Sequence, residues 1–287
     1  MSQTVFLNGE YLPLDKAMIP VTDRGFVFGD GVYEMIPVFQ RQPFRLQEHL
    51  FRLSNSLKAV YITAPYKTQQ WEDIIHTLIQ KTDPKLTDLS IYLHISRGAE
   101  QKRNHQYAQK IPPTVFIRCD AIVPMDKKTL ANGIHAVTHE DIRWKFCHIK
   151  STSLLANILL KQYAKQQDAE EVLLIRNGLL TEGAASNIFV VIDNQLITPP
   201  RSKFLLPGIT RDVILQLAND PDLGLKCAEI DISESQLNQA NEIWCSSSTR
   251  EIIPVTQLNG KMVGNGKVGD IWRKMHQKYQ FFKQNMR

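Results

Sequence analysis

No stretch of this chain stays apolar long enough to cross a bilayer, and its opening residues, MSQTVFLNGEYLP, lack the basic start and apolar centre of a secretory signal. A cytoplasmic protein is the expectation. Cysteine is scarce: Cys119, Cys147, Cys227 and Cys245 stand far apart, with no CxxC and no Cys/His cluster at zinc-finger spacing. Free thiols in a reducing compartment are therefore expected, and no metal site. Blocks of like charge are missing as well. The net charge is +5, but basic and acidic residues interleave along the whole chain, which argues against nucleic acid and suits anionic small molecules. Neither internal repeats nor low-complexity tracts occur. The glycines of GFVFGDG do not follow the dinucleotide-binding order G-x-G-x-x-G.

What is present is an ordinary globular composition, 43% hydrophobic, over 287 residues, enough for two domains or one large α/β domain. Asn8-Gly9, Asn177-Gly178 and Asn259-Gly260 each separate short apolar runs and predict tight hairpins, and Asp193-Asn194 predicts a further turn. Leu46, Leu50, Leu53, Leu57 and Val60 recur at steps of four and three. They predict an amphipathic helix over 46–60 with Arg52 off the apolar stripe. Thr68 is placed as the cap of a second helix carrying Trp71, Ile74, Ile75, Leu78 and Ile79. Residues 89–95 and 134–140 read as strands, and helices are expected up to about 167, from Ile209 and from about Asp270. Ser233 with Gln236 spells a capping box. Strands and helices alternate throughout with several hairpins, so the class is α/β with sheets that are not all parallel. The polar run PMDKKTLANG suggests a boundary, giving a smaller domain over 1–124 and a larger one over 125–287, joined near 121–133.

Several residues admit two readings. Lys150 sits where a strand-like run gives way to the apolar-periodic Leu154, Leu155, Ile158 and Leu159. It is either a solvated cation or a lysine made nucleophilic by its surroundings. Arg103 and His105 are a solvated loop pair, or two donors converging on a carboxylate. Ile209 and Thr210 begin an ordinary helix, or one whose unpaired N–H groups hold a phosphate. The hydroxyl run Ser246 to Thr249 is an exposed turn or a phosphate-binding loop.

Taken together, TDRGFVFGDGVYE, EHLFRL, KRNH, DIRWKFCHIKSTSLLANIL, LTEGAASNIF, LLPGITR and the hydroxyl run before EIIPV resemble the fold-type IV pyridoxal-phosphate transaminases, in order and over nearly the whole chain. The resemblance implies a two-domain fold-type IV enzyme with mixed sheets and flanking helices, whose larger C-terminal domain binds the cofactor. It implies that Lys150 binds pyridoxal 5'-phosphate as a Schiff base and that Glu182 sits by the pyridine nitrogen. Phosphate contacts fall by the same resemblance to Arg52, Ile209, Thr210, Ser247 and Ser248, and Ser186 retains one hydroxyl contact where Ala184 and Ala185 offer none. Tyr33, Arg103 and His105 match the D-amino-acid transaminase group, in which they trap the substrate carboxylate and the Arg/His loop comes from the partner in a homodimer. The implied reaction is exchange of an amino group between a D-amino acid, such as D-alanine, and a 2-oxo acid. Branched-chain L-specific transaminases and aminodeoxychorismate lyases of the same family share Lys150, Glu182 and Arg52 and remain alternatives. Arg250, after the hydroxyl run, either adds a carboxylate contact or faces solvent.

Overall fold

The turns set the strand pairings. In the computed structural model, which describes residues 3–285, Asn8-Gly9, Asn177-Gly178, Asp193-Asn194 and Asn259-Gly260 all hold positive φ at both positions. Their backbone twist matches that of the strands they join. The chain divides into two compact units, Met1–Val123 with Ile149–Leu154, and Pro124–His148 with Leu155–Arg287. Residues 149–154 thus return to the first unit, an excursion that a single boundary does not describe.

The first unit runs β1 (Thr4–Leu7), β2 (Glu10–Pro13), α1 (Arg24–Phe28), β3 (Gly31–Phe39), β4 (Gln42–Pro43), α2 (Leu46–Ala59), α3 (Thr68–Lys81), β5 (Leu89–Ser96) and β6 (Thr114–Ala121). Its sheet has the order β2-β1-β6-β5-β3-β4, with every pairing antiparallel. Alternating residues Val32, Ile36, Leu89, Ile91, Leu93 and Ile117 meet Leu53, Leu57, Trp71, Ile75 and Leu78 in one core. Each such side chain contributes about 1.5–3 kcal/mol on burial. Two expectations change here. Lys67, not Thr68, is the cap of α3, and Gln70 reaches back to accept its N–H at 2.9 Å, which fixes the start one residue earlier. Arg52 is buried rather than off the packed face, because α2 buries a stripe widened by His49 and Ser56 over the carboxylate of Glu34.

The second unit follows with α4 (Lys127–Asn132), β7 (Ile134–Glu140), α5 (Leu155–Gln166), β8 (Glu171–Arg176), β9 (Leu179–Gly183), β10 (Asn187–Ile192), β11 (Gln195–Thr198), α6 (Ile209–Ala218), β12 (Lys226–Glu229), α7 (Glu234–Asn238), β13 (Glu242–Ser247), β14 (Glu251–Leu258), β15 (Lys261–Met262) and α8 (Asp270–Gln284). The polar boundary run folds in part as α4, capped by Asp126, whose carboxylate accepts from Lys128 N–H. The sheet is mixed, in the order β12-β11-β10-β13-β14-β7-β8-β9, with β14, β7 and β8 parallel in sequence. The packed face of α5 is also not the one the periodicity suggests. Leu160 and Ala164 are buried against Val172, Leu174 and Ala184, whereas Leu155, Ile158 and Leu159 are 69%, 62% and 54% exposed. No helix of the described residues is long and apolar enough to cross a membrane.

Candidate active site

Each unit gathers its own set of the residues singled out above. In the first, Lys150 lies in an irregular segment fixed from both ends. Tyr33 on β3 donates its N–H to the Lys150 carbonyl at 2.9 Å, and the Lys150 N–H donates to Ser56 Oγ of α2 at 3.2 Å. Ser151 adds a bridge to Val32. The half-buried ammonium lies 4.2 Å from the centroid of the Tyr33 ring, a cation–π contact. Tyr33 and Lys150 are therefore neighbours.

Behind them is a buried ion cluster. Glu34, 0% exposed, accepts from Arg52 Nε at 2.7 Å and Arg52 Nη2 at 2.8 Å, and its Oε2 is 2.8 Å from His49 Nδ1. Burial alone raises a carboxylate, but the Arg52 guanidinium and His49 outweigh it and hold Glu34 far below the ordinary range. His49 moves down from its ordinary value, mainly by burial, with Arg52 and Lys150 adding repulsion and Glu34 opposing. The other imidazole nitrogen of His49 is buried with no hydrogen-bond partner among the described residues.

Arg103 and His105 lie on the exposed loop between β5 and β6. One ring brings them together: the Arg103 guanidinium is 4.8 Å from the Phe28 centroid, and the His105 and Phe28 centroids are 5.4 Å apart. Donors separated in sequence by the single residue Asn104 thus share one platform.

In the second unit the organising residue is Asn187, which the sequence reading does not single out. Its Nδ2 donates to Glu182 Oε2 at 3.2 Å and to the Leu206 carbonyl at 2.9 Å, and it pairs with Ser246 across β10 and β13. The Leu206 N–H donates to the same Glu182 oxygen at 3.0 Å. At Gly208, cap of α6, a Cβ would lie 2.0 Å from Asn187 Oδ1, so a larger residue there would push Asn187 from its place. So Glu182, the start of α6 and the hydroxyl run converge. Ile209 and Thr210 are buried at a helix start that has no side-chain cap. Ser246 is buried, Ser247 ends β13, and Ser248 lies in the turn to β14 beside half-buried Arg250.

Glu182 is 5% exposed and also accepts from Arg143 Nη1. Arg143 divides itself, since its Nε and Nη2 hold Asp141 at 2.9 and 3.0 Å. Burial therefore prevails at Glu182 and, with repulsion from Asp141, raises its pKa against the pull of Arg143 and the Leu206 N–H. Ser186 turns toward Glu171, to which its hydroxyl donates at 3.1 Å, and Ala184 is packed in the α5 cluster. Asn187 and His49 are the residues the sequence alone missed, while Arg143 and Asp141 lie in the DIRWKF run that carries the resemblance but received no role there. Only their polarity inside apolar or strand-like runs marked them.

Comparison with known proteins decides the family. A model described as "Amino-transferase class IV" matches residues 31–258. The chain belongs to the class IV aminotransferases. A D-alanine aminotransferase of Staphylococcus epidermidis is 34% identical over 281 residues, 98% of each chain. Among solved structures, the branched-chain amino acid aminotransferase of Escherichia coli superposes with a TM-score of 0.89 at 26% identity, covering 98% of this chain and 94% of that one. A branched-chain enzyme from T.th., holding pyridoxamine 5'-phosphate, gives 0.92 at 23% identity, covering 100% and 96%. This aminotransferase accordingly has the fold-type IV architecture and depends on pyridoxal 5'-phosphate. Within the second unit the residues present fit that group: the buried start of α6 lacks a side-chain cap, and the buried carboxylate of Glu182, raised in pKa, gains from a cation such as a protonated ring nitrogen.

Proposed function

We propose that this aminotransferase exchanges the amino group of a D-amino acid, such as D-alanine, with a 2-oxo acid, such as 2-oxoglutarate, giving pyruvate and D-glutamate. The observation that carries the D-specific reading is the pair Arg103 and His105, mounted on the one ring of Phe28. The name of the S. epidermidis relative agrees with it. The branched-chain neighbours in the structural comparison agree in fold and favour the rival no better.

In this reading Lys150 Nζ is the covalent attachment point, and it is also the base that takes the proton from the substrate α-carbon. Bound pyridoxal 5'-phosphate supplies the electron sink that makes that proton removable. Glu182, fixed by Arg143, Asn187 and the Leu206 N–H, holds the pyridine nitrogen in its protonated form. Arg52, oriented by Glu34, and the α6 start at Ile209 and Thr210 hold the phosphate, with Ser247 and Ser248 as hydroxyl donors. Ser186, engaged by Glu171, serves the second-unit contacts indirectly by fixing the backbone next to Asn187. Tyr33, Arg103 and His105 receive the carboxylate, and Arg does so bidentately. Holding the carboxylate on one side selects the enantiomer whose α-proton faces Lys150.

The enzyme is a homodimer in this proposal, with the Arg103/His105 loop crossing to the partner's site. The exposed apolar residues Leu155, Ile158 and Leu159 on α5 support a surface covered by a second copy. A cytoplasmic setting suits its four free cysteines. The test is a product assay on the holoenzyme with four substrate sets. Pyruvate from D-alanine that requires 2-oxoglutarate supports the proposal. Transfer from L-leucine but not D-alanine would replace it by the branched-chain reading, and pyruvate from aminodeoxychorismate without an acceptor would replace it by the lyase.

A further inference from the structure

The loop that carries Arg103 and His105 has no regular secondary structure and is exposed from residue 101 to 110. A carboxylate site needs its donors held closely, so something must restrain this backbone. One residue does most of it. Arg24, 4% exposed at the start of α1, donates from Nη1 to the Asn104 carbonyl at 2.6 Å and to Glu100 Oε2 at 2.7 Å. From Nη2 it donates to the His105 carbonyl at 3.1 Å, and from Nε to Asp30 at 2.9 Å.

The surroundings reinforce that grip. Glu100 accepts the Ala108 N–H at 2.9 Å on its other oxygen. Arg97 holds Asp30 through two bonds of 2.8 and 2.9 Å and lies 3.8 Å from the Tyr107 ring centroid. Phe28, four residues along from Arg24, takes the Arg24 guanidinium on its ring at 4.8 Å, the same distance as that of Arg103. The burial of Arg24 works against its charge, but Asp30 and Glu100 outweigh this, so the guanidinium stays protonated at any working pH.

We infer that Arg24 is a positioning residue for the substrate carboxylate: it fixes the carbonyls of Asn104 and His105, so that Arg103 and His105 project from a held backbone against Phe28. The inference rests on the reading of Arg103 and His105 as the carboxylate site. Arginine suits this role because its planar fork spreads donors over three nitrogens at fixed angles, reaching acceptors on Asp30, Glu100, Asn104 and His105 together, whereas the donors of a lysine ammonium all radiate from one nitrogen.

The experiment is steady-state kinetics with D-alanine on holoenzymes of Arg24→Lys, Glu100→Gln, Arg103→Ala/His105→Ala and the combination of Arg24→Lys with that pair. The carboxylate pair variant should raise KM by roughly a hundredfold. Arg24→Lys should raise KM about tenfold with kcat within about twofold and unchanged cofactor absorbance, and it should add less than about twofold in the pair background. Glu100→Gln loosens the same loop from the other side and should raise KM about threefold, which decides the matter if the Arg24 variant does not fold. An Arg24→Lys effect that persists in full in the pair background, or that falls on cofactor binding, overturns the inference alone, as does an unchanged KM in Glu100→Gln. An unchanged KM in the pair variant overturns the carboxylate reading and the inference with it.

Discussion

Glu34 in the first unit and Glu182 in the second are both buried carboxylates held by a guanidinium, yet their surroundings drive them in opposite directions. Glu34 has Arg52 on both oxygens and His49 besides, so its negative charge is compensated in place. Glu182 shares Arg143 with Asp141, and among the described residues its second oxygen sees only the neutral donors of Asn187 and Leu206. The same two residue types thus make a closed ion pair in one place and an anion that gains from a further positive charge in the other. A cluster of the first kind orients a side chain, here Arg52. One of the second kind is suited to a protonated ring.

Variants at the two clusters and beside them test that difference. Lys150→Ala should have the largest effect on turnover, a loss of about 10⁴-fold or more, with the melting temperature little changed because Lys150 bonds to neither cluster. Glu182→Gln should lower turnover by about 10²–10³-fold while leaving stability unchanged or raised, as a buried charge is removed. Glu34→Gln should instead fall on stability and cost about 3–5 kcal/mol, since the buried Arg52 loses the carboxylate that faces it. Denaturant midpoints of the two variants check the pair of expectations, and a larger stability loss in Glu182→Gln than in Glu34→Gln would break the comparison.

The smallest effects lie in pH dependence, where the signs differ. Glu34 is depressed from 4.5, so its contribution is complete above that pH and fades as pH falls below it; the Glu34→Gln penalty should shrink accordingly. His49 is depressed from 6.5, so below that pH the unfolded chain binds a proton that the folded chain does not, and stability declines on acidification. His49→Gln should flatten that decline. Glu182 is raised above 4.5, so its ionisation costs stability as pH rises through and above 4.5, and Glu182→Gln should gain on the natural chain from pH 4 to pH 7. Parallel pH profiles for the Glu34 and Glu182 variants would contradict the account.

The features legible in the sequence are local ones. Asn-Gly turns fix their own φ values, and the start of α6 and the Ser233/Gln236 capping box are written within a few residues. The strands at 89–95 and 134–140 announce themselves by composition and alternation. What the sequence hid depends on partners far along the chain. Arg143 meets Glu182 39 positions away, and Arg52 is drawn inside by Glu34, 18 positions away. The packed face of α5 is chosen by Val172, Leu174 and Ala184, so the more conspicuous Leu155, Ile158 and Leu159 are left outside. Lys150, Glu182 and the Arg103/His105 pair stand as candidates through the family resemblance alone, because no spacing rule links residues in separate units.

The most direct test is a single half-turnover. Holoenzyme is mixed with D-alanine, and separately with L-alanine and L-leucine, with no 2-oxo acid present, and the visible absorbance of the lysine-bound cofactor is followed. The account predicts rapid loss of that absorbance with D-alanine and persistence with both L-amino acids. Loss with L-leucine and persistence with D-alanine would contradict it, leaving Lys150 and Glu182 in their roles and removing Arg103 and His105 from theirs.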